Sequence, residues 1–298
     1  KDYLRFREFL TIDLLKNALA TFKPFKAPGP DGIHPIMLKK LPPTQLEELR
    51  QIYLESMKQG KVPSNWRKAL VIFIPKAGKK DYLDPKSYRP ISLTSFLLKV
   101  MEKCVLLFLK CTYLDYSKLH RNQFAYKKLS STETALHELI SYIERAQFKN
   151  EHVGVIFLDV EAAFNNARIL SMTNSLILQG VGYDTVKWIK ATLTERTAEA
   201  RMCGESEQIK VIHGCPQGAG LSPELWNNLI NELPMALSDD MVQLLLFADD
   251  VTLVSSHKDL HNLMEVVQDR IDKILCWAEK HCLKYLCCKI LLKKGWHF

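Results

Sequence analysis

The stretch QLLLFADDVTLVSS, residues 243–256, constrains this chain most, because two adjacent aspartates stand inside an apolar run. The flanking Leu, Phe and Val residues predict a strand that is buried on at least one face. An unpaired carboxylate there is costly unless it takes up a proton. Successive strand side chains point to opposite faces, so Asp249 and Asp250 cannot face one site from a straight strand. We therefore place them at the tip of a hairpin, LLLF-AD-DVTLV.

A second apolar strand, in VIFLDVEAAF, runs into Asp159. If the two strand ends lie side by side, three carboxylates converge, and close like charges require protonation or a bound cation. Oxygen ligands suit Mg²⁺, and two such ions about 3.5–4 Å apart can promote attack by a 3′-hydroxyl and departure of pyrophosphate. The alternative is structural: an acidic hairpin turn for Asp249 and Asp250, and a helix N-cap for Asp159.

The placement of charge indicates the kind of partner. The net charge is +8, and residues 61–110 hold eleven Lys and Arg against three acids, so this segment carries the whole excess. A concentrated basic surface suits phosphates, whose neutralisation releases counterions, although a solvated basic face is the alternative. The most apolar segment, FLLKVMEKCVLLFLK, is interrupted by charges and is shorter than the roughly 18 residues of a membrane span. No membrane partner is expected.

Helices and strands mix without regular βαβ alternation, which predicts an α+β fold. Strands are predicted at 69–75 and 153–160, and a hairpin at 197–214 that turns near Gly204. Three capping boxes predict helix starts, and Gly60 ends the first of these helices. The boxes are Thr44 with Glu47, Ser130 with Glu133, and Ser256 with Asp259.

Five motifs occur in an order and at separations typical of one family. They are KAPGPDGIHPIMLKKL (26–41), SYRPISLT (87–94), LDVEAAF (158–164), GCPQGAGLSP (214–223) and LFADDVTLV (246–254). The set resembles the reverse transcriptases of non-LTR (LINE-type) retrotransposons. The segment PKAGKKDYLDPKSYRPISLTSFLLKVMEK resembles the Jockey-like elements of insects.

The resemblance implies an RNA-directed DNA polymerase with a right-hand fold. Residues 1–298 would form one reverse transcriptase domain, without a thumb or an endonuclease domain. Its parts would be fingers at roughly 1–95 and 118–150, and palm at roughly 96–117 and 151–298. The implied partners are an RNA template, a DNA primer and deoxynucleoside triphosphates, and the oligomeric state stays open. The expected location is intracellular, in the nucleus with assembly in the cytoplasm.

The resemblance also implies roles for residues that match its motifs. Asp159, Asp249 and Asp250 would be the catalytic metal ligands for two Mg²⁺ ions, with Mn²⁺ as a substitute. Phe164 would lie under the incoming sugar and exclude a 2′-hydroxyl by steric clash. A core phenylalanine is the alternative for Phe164.

Four further residues would bind the nucleotide. Arg89 would hold the triphosphate, since its guanidinium suits bidentate phosphate contacts, with Lys76 as a helper. Lys76 as a solvated charge is the alternative. Gln217 and Gly218 would let the backbone come close to a nucleotide or a template base.

Three departures from the family pattern occur. Ala219 and Gly220 stand where the family has a second Gly and then a branched residue, and Cys282 stands where it has Gly. The resemblance implies that Lys289 would be the displaced counterpart of a family Lys, which would donate a proton to pyrophosphate. The expected lack of a thumb and the irregular C-terminal segment leave a second function open: a truncated, inactive retrotransposon remnant that only binds nucleic acid.

Overall fold

The computed structural model describes residues 2–114, 119–127, 129–202, 205–237, 239 and 241–294. Within that range, side chains are described except at 201, 202, 205, 286–289 and 292–294. The chain forms two compact units. Unit 1 comprises 1–114 and 173–222, and unit 2 comprises 115–172 and 223–298. The predicted boundaries of fingers and palm stay a prediction.

Helices and strands alternate irregularly along the chain, which confirms the predicted α+β class. The helices are α1 (Asp2–Phe9), α2 (Ile12–Ala20), α3 (Pro35–Lys39), α4 (Pro43–Gln59), α5 (Phe96–Thr112), α6 (Thr132–Phe148), α7 (Ala163–Asn166), α8 (Ile169–Leu178), α9 (Tyr183–Leu193), α10 (Ser222–Ile230), α11 (Glu232–Leu237) and α12 (Leu260–Lys280). The strands are β1 (Lys68–Pro75), β2 (Tyr88–Thr94), β3 (His152–Val160), β4 (Arg196–Met202), β5 (Glu205–Val211), β6 (Val242–Phe247), β7 (Asp250–His257) and β8 (Tyr285–Lys294).

Unit 1 contains a four-stranded sheet in the order β2-β1-β4-β5. Strand β1 pairs antiparallel with β2 and parallel with β4, while β4 and β5 form an antiparallel hairpin. The strand predicted at 69–75 and the hairpin predicted at 197–214 are both confirmed. The predicted turn near Gly204 lies outside the described residues.

Gly29, in the block KAPGPDG, packs closely against the backbone at the end of β2. A Cβ atom at Gly29 would lie 2.6 Å from the backbone nitrogen of Ser95 and 2.6 Å from the carbonyl carbon of Thr94. No side chain fits at such distances, so only glycine lets the N-terminal block pack against the end of β2. The Ser95 hydroxyl then accepts a hydrogen bond from the Leu97 amide and caps α5.

Unit 2 contains an antiparallel four-stranded sheet in the order β6-β7-β3-β8. Helix α6 packs on one face of this sheet, against Val153, Val155, Leu245 and Val254. Side chains at alternate positions share a face, so Asp159 in β3 and Asp250 in β7 lie on that same face. The strand predicted at 153–160 is confirmed.

The predicted capping boxes are wrong in detail. Helix α4 begins at Pro43, because the fixed φ of proline suits the first helical position, so Thr44 is inside the helix. Gly60 adopts a left-handed conformation and ends α4 as predicted. The N-cap of α6 is Ser131 with Thr134, one residue later than predicted. The N-cap of α12 is Asp259, whose side chain accepts from the Asn262 amide, while Ser256 lies in β7.

None of the described helices is both long enough and apolar enough to traverse a bilayer.

Candidate active site

Two strand ends bring three aspartates together in unit 2. Asp159, near the end of β3, is the register partner of Asp250, the first residue of β7. Ala248 and Asp249 form the turn between β6 and β7, so the predicted hairpin is confirmed. The Val160 amide donates to the Asp249 carbonyl oxygen at 3.3 Å, which fastens the turn to the end of β3.

The three carboxylates interact electrostatically. Burial raises the pKa of Asp250 above its ordinary value, and the nearby charges of Asp249 and Asp159 raise it further. Like charges at short range disfavour the ionised form of each group. A bound cation would remove this repulsion, so the arrangement suits a positively charged ligand.

The donor chemistry of the aspartates fits a divalent cation. Carboxylate oxygens are the ligands that Mg²⁺ and Mn²⁺ prefer. As the described side chains stand, no three His, Cys, Asp or Glu residues are arranged to hold one ion. Asp159 and Asp249 are partly exposed and Asp250 is exposed, so an ion from solution can reach this part of the sheet.

The turn that carries Asp249 is strained and is supported from below. Ala248 has a φ of 56°, a left-handed conformation that is uncommon for a residue with a Cβ atom. The Ala248 carbonyl accepts a 2.8 Å hydrogen bond from Nε1 of Trp226, a fully buried side chain on α10. Such strain persists where the surrounding structure holds it, and it is common at functional sites.

Phe164 lies on the short helix α7, just after β3. Its ring packs against Trp226, with ring centroids 5.9 Å apart and ring planes inclined by 38°. Phe164 as a whole is partly buried. Trp226 therefore supports both the β6–β7 turn and Phe164.

Arg89 and Lys76 lie at one end of the β1–β2 hairpin in unit 1. Arg89 is the register partner of Ile74, two residues before Lys76. The ammonium group of Lys76 donates to the carbonyl of Lys86 at 2.9 Å in an exposed position, so its role stays a prediction. Arg89 is exposed.

The motif GCPQGAGLSP contacts the same hairpin. The carbonyl of Gln217 accepts a 3.2 Å hydrogen bond from the Ser92 amide of β2. Gly218 has a φ of 101°, and a Cβ atom there would lie 3.7 Å from the Ser92 carbonyl oxygen. The positive φ, more than lack of space, requires glycine. Gln217 and Gly218 thus lie beside the strand that carries Arg89.

Two buried charged residues hold the ends of this loop. The Glu102 carboxylate, on α5, accepts from the Gly220 amide at 3.1 Å. The Arg196 guanidinium, at the start of β4, donates to the carbonyls of His213 and Gly214 at 2.6 and 2.7 Å. Burial raises the pKa of Glu102 to about 7, although the Gly220 hydrogen bond and the charges of Lys99 and Arg196 act in the opposite direction.

The departures from the family pattern have different structural consequences. A Cβ atom at Gly220 would meet nothing closer than 3.9 Å, so the loop has room for a side chain at that position. Cys282 has a φ of 60°, the conformation for which glycine is preferred after a helix. The side chain of Lys289 lies outside the described residues, and its backbone pairs with Phe157 of β3.

Sequence reasoning missed Trp226, Glu102 and Arg196. Glu102 did carry a signal, because it is one of the few charges in the apolar helix α5 and sits on its buried side. Trp226 and Arg196 had no such sequence signal, because they bind backbone carbonyls, and a sequence does not indicate which side chain binds a given carbonyl.

The chain was compared with known proteins. Residues 74–284 match the family model described as reverse transcriptase (RNA-dependent DNA polymerase). The chain belongs to the reverse transcriptase family. Among curated relatives, it is 29% identical over 280 residues to the RNA-directed DNA polymerase from mobile element jockey of Drosophila melanogaster. That alignment covers 91% of this chain and 30% of the relative. The predicted resemblance to non-LTR, Jockey-like reverse transcriptases is confirmed.

Other relatives agree in kind. The chain is 26% identical to the probable RNA-directed DNA polymerase from transposon BS of Drosophila melanogaster, covering 92% of this chain and 31% of the relative. It is 27% identical to the Pol polyprotein from retrotransposable element R1 of Bradysia coprophila, covering 92% of this chain and 27% of the relative. The chain thus spans about a third or less of the length of these relatives.

Solved structures confirm the fold. Apo telomerase from Candida tropicalis, truncated from its C-terminal domain, superimposes with a TM-score of 0.53 at 15% identity, over 85% of this chain and 56% of that chain. Telomerase from the same organism, in complex with a fragment of telomeric RNA, superimposes with a TM-score of 0.54 at 15% identity. The match covers 84% of this chain and 44% of that chain. Telomerase reverse transcriptase has the right-hand polymerase fold, so the predicted fold is confirmed.

Proposed function

We propose that this chain catalyses RNA-directed DNA synthesis, adding deoxynucleotides to a primer 3′-hydroxyl by phosphoryl transfer. One observation supports this above all. Asp159 and Asp250 are paired across two strands, with Asp249 in the adjoining turn. A structural turn or an N-cap needs one carboxylate, and neither explains three acids of which two raise the pKa of the third, Asp250. Family membership adds the reaction type.

The three aspartates would hold the divalent cations, two Mg²⁺ ions or Mn²⁺ in their place. When bound, such ions activate the attacking hydroxyl and offset charge on the leaving pyrophosphate. Asp159 and Asp250 come from paired strands, and the Asp249 turn is fastened to both Val160 and Trp226. The sheet therefore positions the ligands on a rigid element, as a precise site requires.

Arg89 and Lys76 would bind the triphosphate of the incoming deoxynucleotide. The exposed Arg89 offers a planar set of donors that matches phosphate oxygens, while Lys76 adds positive charge from the adjacent loop. Gln217 and Gly218 would contact the nucleotide or template base with a loop that Glu102 and Arg196 hold at its ends.

Phe164 would exclude ribonucleotides by occupying the space of a 2′-hydroxyl. Its ring rests on Trp226, so it cannot retreat in that direction without losing the contact. The expected substrates are therefore an RNA template, a DNA primer and deoxynucleoside triphosphates.

The test is incorporation of labelled dTTP on poly(rA)/oligo(dT), with Mg²⁺ or with EDTA. We expect metal-dependent synthesis that Asp249→Asn lowers by about a hundredfold or more, because a neutral carboxamide is a poor replacement for an anionic metal ligand. Asp272→Asn, which changes an exposed aspartate on α12 of the same unit, is the control and should retain activity.

Equal synthesis by Asp249→Asn and the unchanged chain would contradict the proposal. An absence of synthesis with retained, salt-sensitive RNA binding would favour the inactive remnant instead. Circular dichroism of both variants distinguishes either outcome from misfolding.

A further inference from the structure

Unit 2 contains a cleft of about 540 Å³ far from the aspartates. It lies where the C-terminal end of α6 meets the first residue of β3 and the last residue of β7, His152 and His257, which are register partners. Asp159 and Asp250 are partners at the other end of the same two strands. At about 3.3 Å per residue the two ends are about 23 Å apart, so the cleft is separate from the aspartate cluster.

The cleft is basic. Among the described residues, four Lys and Arg line it: Arg121, Arg145, Lys149 and Lys258. Arg145 is 3.7 Å from Glu138, whereas the other three make no ion pair with any described residue. Cations at the end of a helix offset its dipole, which explains Arg145 and Lys149. The dipole of α6 does not explain the presence of Arg121 and Lys258, which lie in other segments of the chain.

Two acids among the described residues line the cleft, and both already have partners. Glu151 accepts from the Ser256 hydroxyl at 2.7 Å. Asp239 accepts from two backbone amides, each at 2.9 Å, and pairs with Arg270. Both acids thus already have partners, whereas Arg121, Lys149 and Lys258 make no ion pair with any described residue.

One buried polar group in the cleft lacks a partner. Gln243 of β6 is 8% exposed and lines the cleft, and its Oε1 atom has no hydrogen bond among the described residues. An unsatisfied buried acceptor costs about 1–3 kcal/mol, so its retention calls for an explanation. A hydroxyl donor brought by a ligand would satisfy it.

We propose that this cleft binds an RNA strand at a second site, remote from the aspartates. A phosphodiester would contact Arg121, Lys149 and Lys258, and the adjacent ribose 2′-hydroxyl would donate to Oε1 of Gln243. A free anion supplies the first contact but lacks the second, and DNA lacks the 2′-hydroxyl. The cleft volume lies within the range of about 300–1,000 Å³ that ligand sites occupy. This site goes beyond the proposed activity, since no nucleotide is added there.

The first test measures the anisotropy of labelled single-stranded RNA, in EDTA and without nucleotide, from about 50 to 200 mM salt. The variant Lys149→Gln/Lys258→Gln should bind about tenfold more weakly, and its log–log salt slope should fall by about 1.4, at about 0.7 per lost phosphate contact on a single strand. The control, Lys273→Gln/Lys280→Gln, removes two exposed lysines of α12 that do not line the cleft and should bind like the unchanged chain.

The second test replaces Gln243 with Met, which keeps the length of the side chain and removes its acceptor. Gln243→Met should lower affinity for RNA and leave affinity for DNA of the same sequence unchanged. Affinity of the lysine variant equal to that of the control would overturn the site, and equal losses on RNA and DNA in Gln243→Met would overturn the ribose contact. Neither assay requires synthesis, so failure here is distinct from failure of the proposed polymerase activity.

Discussion

Asp250 lies beside two other aspartates, so its ionisation costs more free energy in the folded chain than in the unfolded chain. Its raised pKa has two causes, burial and the charges of Asp249 and Asp159. Removing one of the three carboxylates should relieve repulsion and, at the same time, weaken any cation site. The three carboxylates therefore destabilise the folded chain through repulsion, and the same carboxylates form the proposed cation site.

Mg²⁺ is therefore expected to stabilise the chain, and Asp250→Asn should abolish this effect. A ligand that binds only the folded state raises the melting temperature, by about 2–4 °C for each kcal/mol of binding free energy in a domain of this size class. Differential scanning calorimetry with Mg²⁺ and with EDTA measures the shift. Asp272→Asn should respond like the unchanged chain, and an undiminished Mg²⁺ shift in Asp250→Asn would argue against ligation.

Cys282 adopts a backbone conformation that is strained for a residue with a side chain. It follows α12 with a φ of 60°, and the Leu283 amide donates to the Ala278 carbonyl at 2.8 Å, as in a helix end that usually carries glycine. Cys282→Gly should stabilise the chain by about 1 kcal/mol, because glycine adopts this conformation without strain.

Cys276→Gly is the matched control, since the same change in the interior of α12 should destabilise the helix by about 1 kcal/mol. Urea unfolding measures both free energies. A loss of stability in Cys282→Gly would show that the cysteine side chain makes a contact that outweighs the strain.

At the scale of elements, the β6–β7 hairpin depends on α10. The turn holds Ala248 in a left-handed conformation, and the indole of Trp226 binds the Ala248 carbonyl at 2.8 Å. Local sequence predicts the hairpin, because apolar strands flank a polar turn. It does not predict the support, because Trp226 lies on a helix that precedes the hairpin in the chain.

Trp226→Phe should lower both stability and synthesis. The change leaves the Ala248 carbonyl without its buried donor, at a cost of about 1–3 kcal/mol, and frees the turn that carries Asp249. Trp277→Phe is the matched control, because the Nε1 atom of Trp277 is buried without a hydrogen bond partner in the described part of the chain. Melting temperature and kcat should fall further in Trp226→Phe, and equal effects would show that the hydrogen bond is unimportant.

The loop that carries Gln217 is another element held from outside itself. Arg196 binds the carbonyl of Gly214, Ser92 binds the carbonyl of Gln217, and Glu102 binds the amide of Gly220. These three attachments come from three different elements. The loop is therefore positioned by tertiary contacts, and its own glycines supply only the conformations that those contacts require.

For the whole molecule, Glu102 makes stability depend on pH. Its folded pKa of about 7 is above the ordinary value of 4.5, so the folded chain binds the proton more tightly than the unfolded chain. Stability should then fall as pH rises from about 4.5 to about 7, by at most about 3 kcal/mol. Glu102→Gln still offers an oxygen to the Gly220 amide but does not titrate, so it should lose less stability over this interval.

Urea unfolding at several pH values between 4.5 and 8 checks this expectation. Glu48→Gln, which changes an exposed glutamate in the same unit, should follow the unchanged chain. The same pH slope in Glu102→Gln and the unchanged chain would mean that other groups control the pH dependence.

Prediction from sequence succeeded where the signal is local. The apolar strands that end at Asp159 and flank Asp249 and Asp250 predicted β3, the β6–β7 hairpin and the meeting of their acids, all of which the structure shows. The starts of α4, α6 and α12 were misplaced, because several Ser, Thr and Asp residues near each start can serve as a cap.

The sequence by itself determined the α+β class, the strands and the family, because burial periodicity and motif order are properties of neighbouring residues. Only the tertiary structure decided that Trp226 supports Phe164 and the aspartate turn, and that Glu102 and Arg196 hold the Gln217 loop. It also decided that Arg121, Lys149 and Lys258, which make no ion pair with any described residue, line one cleft with Gln243 at the far end of the unit 2 sheet. These residues are distant in the chain and bind backbone or line a cleft, so their relation exists only once the chain has folded.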